Sequence, residues 1–190
     1  MNANLLASRV WPATGTGSLG RAVVLAVLGS IFVGLAAQIS VPMIPVPMTL
    51  QTLAVLAVGG AYGMRLGAAT LALYAVEGAA GLPVFANFSG GFHVIAGPTG
   101  GYILGFVLAA ALVGYLVEKG WGANVVKLCG AMLLGAAVLY VPGLLWLAKF
   151  TGAADALGYG LYPFVIGDIV KAVLAALAFP AAFSLLGPKA

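Results

Sequence analysis

Asp168 and Lys171 stand three residues apart in the otherwise apolar run YPFVIGDIVKAVL at 162–174. On a helix that spacing puts both side chains on one face. Near the centre of a membrane-spanning helix, each charge costs about 2.5–3.5 kcal/mol on insertion scales. Keeping both calls for a mutual ion pair, a wet cavity or a ligand, and intramembrane ionisable groups are functional by default. A purely structural pair is the competing reading. More polar groups gather at the same depth. Thr49 and Gln51 follow a proline-rich stretch, Glu77 closes an apolar run, Asn87, His93 and Thr99 lie in a loop, and Tyr102 opens the next run. Singly, each has an ordinary explanation: an interfacial anchor, a loop histidine, a solvated carboxylate. Asn87 is the stronger signal, because an amide in an apolar loop needs hydrogen-bond partners.

Catalytic patterns are missing. There is no phosphate-binding GxxxxGK[ST], no HExxH and no GxSxG. A single histidine, His93, and a single cysteine, Cys129, make neither a protease dyad nor a metal site, and no intrachain disulfide can form. No catalytic residue, no metal ligand and no cofactor is expected. The stretch FSGGFHVIAGPTGGY at 88–102 holds five glycines and leads into an apolar run. Its glycines let the backbone approach a neighbour or a ligand closely. With no ATPase signature, uphill transport by this chain would draw its energy from elsewhere.

The elements that must position these residues are membrane helices. The chain has 190 residues, 63% hydrophobic and 6% charged, against about 25% charged in an ordinary soluble domain. Eight basic and four acidic side chains cannot build a water-facing surface of this size. The fold expected is an all-α membrane bundle of six spans, at about 22–41, 48–64, 66–80, 100–117, 125–147 and 161–186. The second and third are short, which suggests a tilted or broken hairpin around Arg65. Residues 1–20 read as a poorly ordered aqueous tail and 21–190 as a single transmembrane domain. The net charge of +4 is scattered, so no nucleic-acid partner is expected. Arg9, Arg21, Arg65, Lys119, Lys127 and Lys189 fall on one side, against Lys149 on the other, which puts both termini in the cytoplasm. The outer segments are then 42–47 (PMIPVP), 81–99 and 149–160, longer and less regular than the inner links. That asymmetry suggests an outward-facing binding site capped by loops.

Ala22, Ala26, Ser30 and Gly34 recur every four residues on the first span. Such a stripe lets another helix approach closely, either inside this bundle or on a separate membrane subunit.

Four segments together resemble the BioY family: VPMTLQTLAVLAVG at 46–59, GLPVFANFSGG at 81–91, GPTGGYILGF at 97–106 and PFVIGDIVK at 163–171. These are the biotin-specific substrate-binding (S) components of energy-coupling-factor transporters. The resemblance runs from about residue 21 to 186. It implies a six-helix S-component fold in a bacterial or archaeal cytoplasmic membrane, with a biotin pocket on the outer side. It also implies a transmembrane coupling subunit and two cytoplasmic ATPases as partners beside the membrane lipid, with docking through Ala22 and Ala26. Self-association is left open, as is a self-sufficient transporter that needs no such module. The positions that look like the family's pocket residues are Asn87, Asp168 and Lys171, with Gln51, Glu77, His93 and Tyr102 as further candidates.

The chemistry of the implied ligand fits those residue types. Asp168 and Asn87 suit the two N–H groups of biotin's ureido ring, and Lys171 suits its carbonyl. Phe85, Phe88, Tyr102 and Tyr162 are candidates for an apolar wall around the thiophane ring and chain. The valerate carboxylate would meet His93 or loop N–H groups. An inverted pose, with Lys171 on the carboxylate, is an alternative. The glycine-rich loop is then expected to act as a lid, ordered when ligand is bound.

Overall fold

A computed structural model of the chain describes residues 5–11 and 18–185. Lys189 and residues 1–4 and 12–17 of the expected tail lie outside the described residues. In chain order the helices are α1 (Leu6–Val10), α2 (Ser18–Gln38), α3 (Gln51–Ala79), α4 (Phe92–Ala96), α5 (Gly100–Glu118), α6 (Val125–Thr151), α7 (Ala153–Gly160) and α8 (Tyr162–Leu185). Two short strands, β1 (Ser40–Val41) and β2 (Met48–Thr49), pair antiparallel with Ser40 opposite Thr49. They frame the loop that holds Pro42, Pro45 and Pro47, where regular helix is blocked. Among the described residues α2, α3, α5, α6 and α8 are long and apolar enough to cross a bilayer.

Helix α3 is a hairpin. Gly63 breaks it with φ 82° and ψ 179°, a backbone geometry that glycine alone adopts readily. On one continuous helix Gln51 and Tyr74 would lie about 35 Å apart at 1.5 Å per residue. Instead the Gln51 side-chain amide donates to the Tyr74 hydroxyl at 2.6 Å. The arms 51–62 and 64–79 therefore run side by side, and the six apolar segments expected from hydropathy are all present. The turn falls two residues before Arg65, the residue that separates the second and third expected spans. Arm 51–62 packs so tightly on α5 that a Cβ added at Gly59 would sit 2.7 Å from the Ala110 carbonyl oxygen. Close contact of this kind is how membrane helices gain dispersion energy without a hydrophobic drive between them.

Three expectations change. The segment 149–160 is mostly helical, as the end of α6 and α7, rather than irregular. Residues 6–10 of the tail form α1, which packs on the α3 hairpin; Ala7 is buried there and its carbonyl accepts from Arg21 Nη2 at 2.6 Å. The small-residue stripe turns inward: Ala26, Ser30 and Gly34 are buried within the chain, and only Ala22 is partly open. Ser30, with no exposed surface, donates to Glu77 Oε1 at 3.2 Å, and Gly34 lies against Val84. Ala26, Ser30 and Gly34 thus pack α2 on its own bundle. The open face of α2 carries Val24, Leu28, Ile31 and Leu35 instead.

The bundle has two chemically distinct ends. The hairpin tip meets the end of α5, where the Met64 N–H donates to Glu118 Oε1 at 2.9 Å, and Arg21, Arg65 and Lys119 cluster there. The other end holds the β1–β2 loop, the segment 81–99 and the beginnings of both the α3 first arm and α5.

Candidate ligand-binding site

At that second end a cavity of about 280 Å³ opens among the α3 first arm, α5, α6, α8 and the loop 84–89. Drug-sized sites start at about 300 Å³, so this cavity suits a compact molecule. Its polar focus is the pair seen in the sequence. Asp168 and Lys171 are 4% and 7% exposed, and Lys171 Nζ lies 2.8 Å from Asp168 Oδ1.

Two neighbours hold the pair in place. The Thr52 hydroxyl, one residue into the α3 first arm, donates to Asp168 Oδ1 at 2.8 Å and accepts from Lys171 Nζ at 3.1 Å. The Tyr140 hydroxyl on α6 donates to Asp168 Oδ2. Helices α3, α6 and α8 are thus tied at one carboxylate, which explains how two charges persist inside an apolar bundle. The tally leaves capacity unused. A carboxylate offers about four lone-pair sites and an ammonium three donors. Lys171, Thr52 and Tyr140 take three sites on Asp168, and Lys171 spends two donors. One acceptor site, on Asp168 Oδ2, and one Lys171 donor remain, on two residues that both line the cavity.

The rest of the lining is mainly apolar, with Phe85, Ile103, Phe106, Leu139 and Phe164 among its walls. Tyr102 sits edge-on to Tyr140, ring centres 6.1 Å apart, and its hydroxyl donates to the Gly160 carbonyl at 2.8 Å. The Tyr102 hydroxyl therefore anchors α5 to the end of α7, while its ring lines the cavity. Gln51 also does two jobs. It borders the cavity and, through Tyr74, reaches the Val84 carbonyl, where Tyr74 donates at 3.0 Å.

The loop that forms one rim is pinned from α2. Gln38 Nε2 donates to the Phe85 carbonyl at 3.1 Å, and the Phe88 N–H donates back to Gln38 Oε1 at 2.8 Å. Asn87 and Phe88 take left-handed backbone angles, φ 57° and 54°, unusual for residues with side chains. The Ser40 hydroxyl donates to Asn87 Oδ1 at 3.1 Å. The turn presents Asn87 and Ser89 on the cavity lining and throws the Phe88 ring outward.

Of the residues expected at the site, Asn87, Asp168, Lys171, Gln51, Tyr102 and Phe85 all line the cavity. Four expected contributors lie elsewhere. Phe88 and Tyr162 are 71% and 66% exposed, outside the lining. His93 lies on the exposed side of α4. Glu77 faces α2, where it accepts from Ser30. Phe164, two residues beyond Tyr162, supplies the aromatic wall from α8. Thr52 and Tyr140 were not anticipated; the one available signal was that each is a hydroxyl inside an apolar span.

Comparison with known proteins follows the same lines. Residues 8–187 match the pattern of the BioY family. The chain is 42% identical over 153 residues to the "Probable biotin transporter BioY" of Pyrococcus horikoshii, covering 79% of this chain and 90% of that protein. It is 42% identical over 142 residues to the "Biotin transporter BioY" of Thermotoga maritima, covering 74% and 83%. Among solved structures, the fold matches the S-component for biotin from an ECF-type ABC transporter. The TM-score is 0.75 at 22% identity, covering 90% of this chain and 95% of that one.

Proposed function

The chain belongs to the BioY family, and from that premise we propose that it is a multi-pass membrane protein that binds biotin in the 280 Å³ cavity as the substrate-binding subunit of a vitamin uptake system. The observation that carries this reading is the unused acceptor of Asp168 and the unused donor of Lys171, on two paired residues that line a mainly apolar enclosure. A cyclic urea presents the complementary edge, an N–H next to a C=O. Asp168 accepts from one ureido N–H and Lys171 donates to the ureido oxygen. The thiophane ring and aliphatic chain rest against Phe85, Tyr102, Phe106 and Phe164. The valerate carboxylate points towards the rim, where Asn87, Ser89 and Thr99 border the cavity. Asn87 serves the carboxylate or the second ureido N–H, whichever end the ligand turns towards it. Nothing in this scheme calls for bond making, so the chain acts by capture and release.

The pocket end faces outward and the arginine-rich end faces the cytoplasm, in keeping with the positive-inside rule. Uptake then requires a coupling module, a transmembrane subunit with two ATPases, because the chain holds no energy source of its own. Titrating purified protein with biotin tests the reading. Wild type is expected to bind saturably, and Asp168→Asn, nearly isosteric, at least ~100-fold more weakly, since it removes the charge that balances Lys171. A well-folded Asp168→Asn variant that binds biotin like wild type would overturn the assignment. Biotin methyl ester fixes the pose in the same titration. If the ester is disfavoured equally by wild type and Lys171→Ala, the carboxylate lies away from Lys171. A preference for free biotin that vanishes in Lys171→Ala establishes the inverted pose.

A further inference from the structure

A second cavity, about 630 Å³, lies at the opposite, basic end of the bundle. Arg21 of α2, Tyr62 and Arg65 at the α3 hairpin tip, and Tyr115 and Lys119 at the end of α5 line it. Its one acidic lining residue, Glu118, is engaged by the Met64 N–H at 2.9 Å and makes no ion pair. Among the described residues the single ion pair is Asp168–Lys171, so the three cations here have no carboxylate within bridging distance. Arg21 is the telling residue. Its Nη2 donates to the Ala7 carbonyl at 2.6 Å, which orients the guanidinium, while its Nε is buried without a partner. Among the described residues no other buried side-chain nitrogen or oxygen lacks one. A buried donor with no acceptor marks a place where an anion or water belongs, and three cations beside one engaged carboxylate favour the anion.

The surroundings say what carries that anion. Leu5, Ala22 and Leu66 share the lining. Leu19 and Val23, within one turn of Ala22 on α2, are exposed and apolar, as a hydrocarbon-facing surface must be. Tyr62 and Tyr115 line the same cavity, and aromatic side chains collect at membrane–water boundaries. A ligand with a phosphate head and apolar tails matches both halves. We propose that this cavity binds the phosphate headgroup of an anionic phospholipid from the leaflet on the basic side, with Arg21 and Arg65 as its principal donors and Lys119 at the rim. The site is separate from the biotin cavity and does not rest on that assignment.

The test uses the full chain purified in mild detergent. Thermal unfolding and native mass spectrometry are read with phosphatidylglycerol, phosphatidylcholine or inorganic phosphate added. Wild type should retain phosphatidylglycerol as a bound adduct and melt several degrees higher with it. Neither phosphatidylcholine nor inorganic phosphate should reproduce that shift. Arg21→Gln/Arg65→Gln should retain the lipid about tenfold less well and lose the shift, at unchanged helical content. Should loss of Arg21 prevent folding, Arg65→Gln/Lys119→Gln, at two exposed positions, reads the same quantity. Equal stabilisation by the two lipids would overturn the proposal, as would equal retention by wild type and variants. Stabilisation by inorganic phosphate alone would assign the site to a soluble anion and overturn the lipid.

Discussion

The capacity of a single carboxylate decides what the pocket can hold, and Tyr140 controls part of it. Its hydroxyl occupies one site on Asp168 Oδ2, leaving the oxygen oriented and one lone pair open. Tyr140→Phe removes that donor without emptying space. A hydrogen bond to a charged group is worth about 1.5–3 kcal/mol, so biotin affinity should fall ~10–100-fold in a calorimetric titration. Affinity unchanged by Tyr140→Phe would show that Thr52 and Lys171 alone orient Asp168. Neither Tyr140 nor Thr52 was evident from sequence, because a neutral hydroxyl inside an apolar span is most often satisfied by its own backbone. Asp168 and Lys171 were evident, because a charge in hydrocarbon has few explanations. The four misplaced candidates share one cause. Hydropathy gives the depth of a residue but not which way it faces around a helix or a turn. Glu77 is near the right depth and looks at α2; Phe88 is next to Asn87 and is flung outward by two left-handed residues.

Among the elements, the loop 84–89 and the α3 hairpin do different work. The loop is held by Gln38, which bonds it at two points from the last turn of α2. Gln38→Ala should leave the helices intact and loosen the rim, so biotin dissociates about 3–10-fold faster, the effect of losing roughly 1 kcal/mol of hydrogen bonding. A spin label at Phe92→Cys, an exposed site on α4, should become less mobile when biotin binds wild type. Mobility indifferent to biotin would exclude a lid at 88–102. The hairpin answers to Gly63 alone. Its backbone angles are open to glycine, and an added Cβ would strike Glu118 Oε1 and lie 2.8 Å from Leu5 Cδ1. Gly63→Ala should destabilise the fold by roughly 1–3 kcal/mol, seen as a lower melting temperature in detergent. Biotin affinity of the folded fraction should barely change, since the turn lies at the far end from the pocket. The span boundaries were legible from apolar run lengths to within a few residues. The inward turn of the Ala26, Ser30 and Gly34 stripe was not, because small residues suit an internal and an external partner equally well.

Across the whole molecule, charge and energy set the limits on transport. Arg21, Arg65 and Lys119 gather at one end, and the cavity with its glycine-rich rim opens at the other. Substrate therefore enters from the side opposite the arginines. Release on the arginine side would require opening a route past the Asp168–Lys171 pair and between helices packed as closely as Gly59 on Ala110. Reopening such contacts repeatedly against a tight ligand needs work, and a tightly held ligand leaves slowly of its own accord. The expectation is binding without autonomous accumulation. Cells that express this chain, lack any coupling module and cannot make biotin should bind labelled biotin at about one molecule per chain and no more. Adding a coupling module with its ATPases should convert that plateau into continuing uptake that stops on ATP depletion. Accumulation well above the chain's own abundance without the module would instead make the chain a self-sufficient transporter. In that case an ion gradient would have to supply the work, and dissipating it would abolish uptake while binding to the purified chain stayed the same.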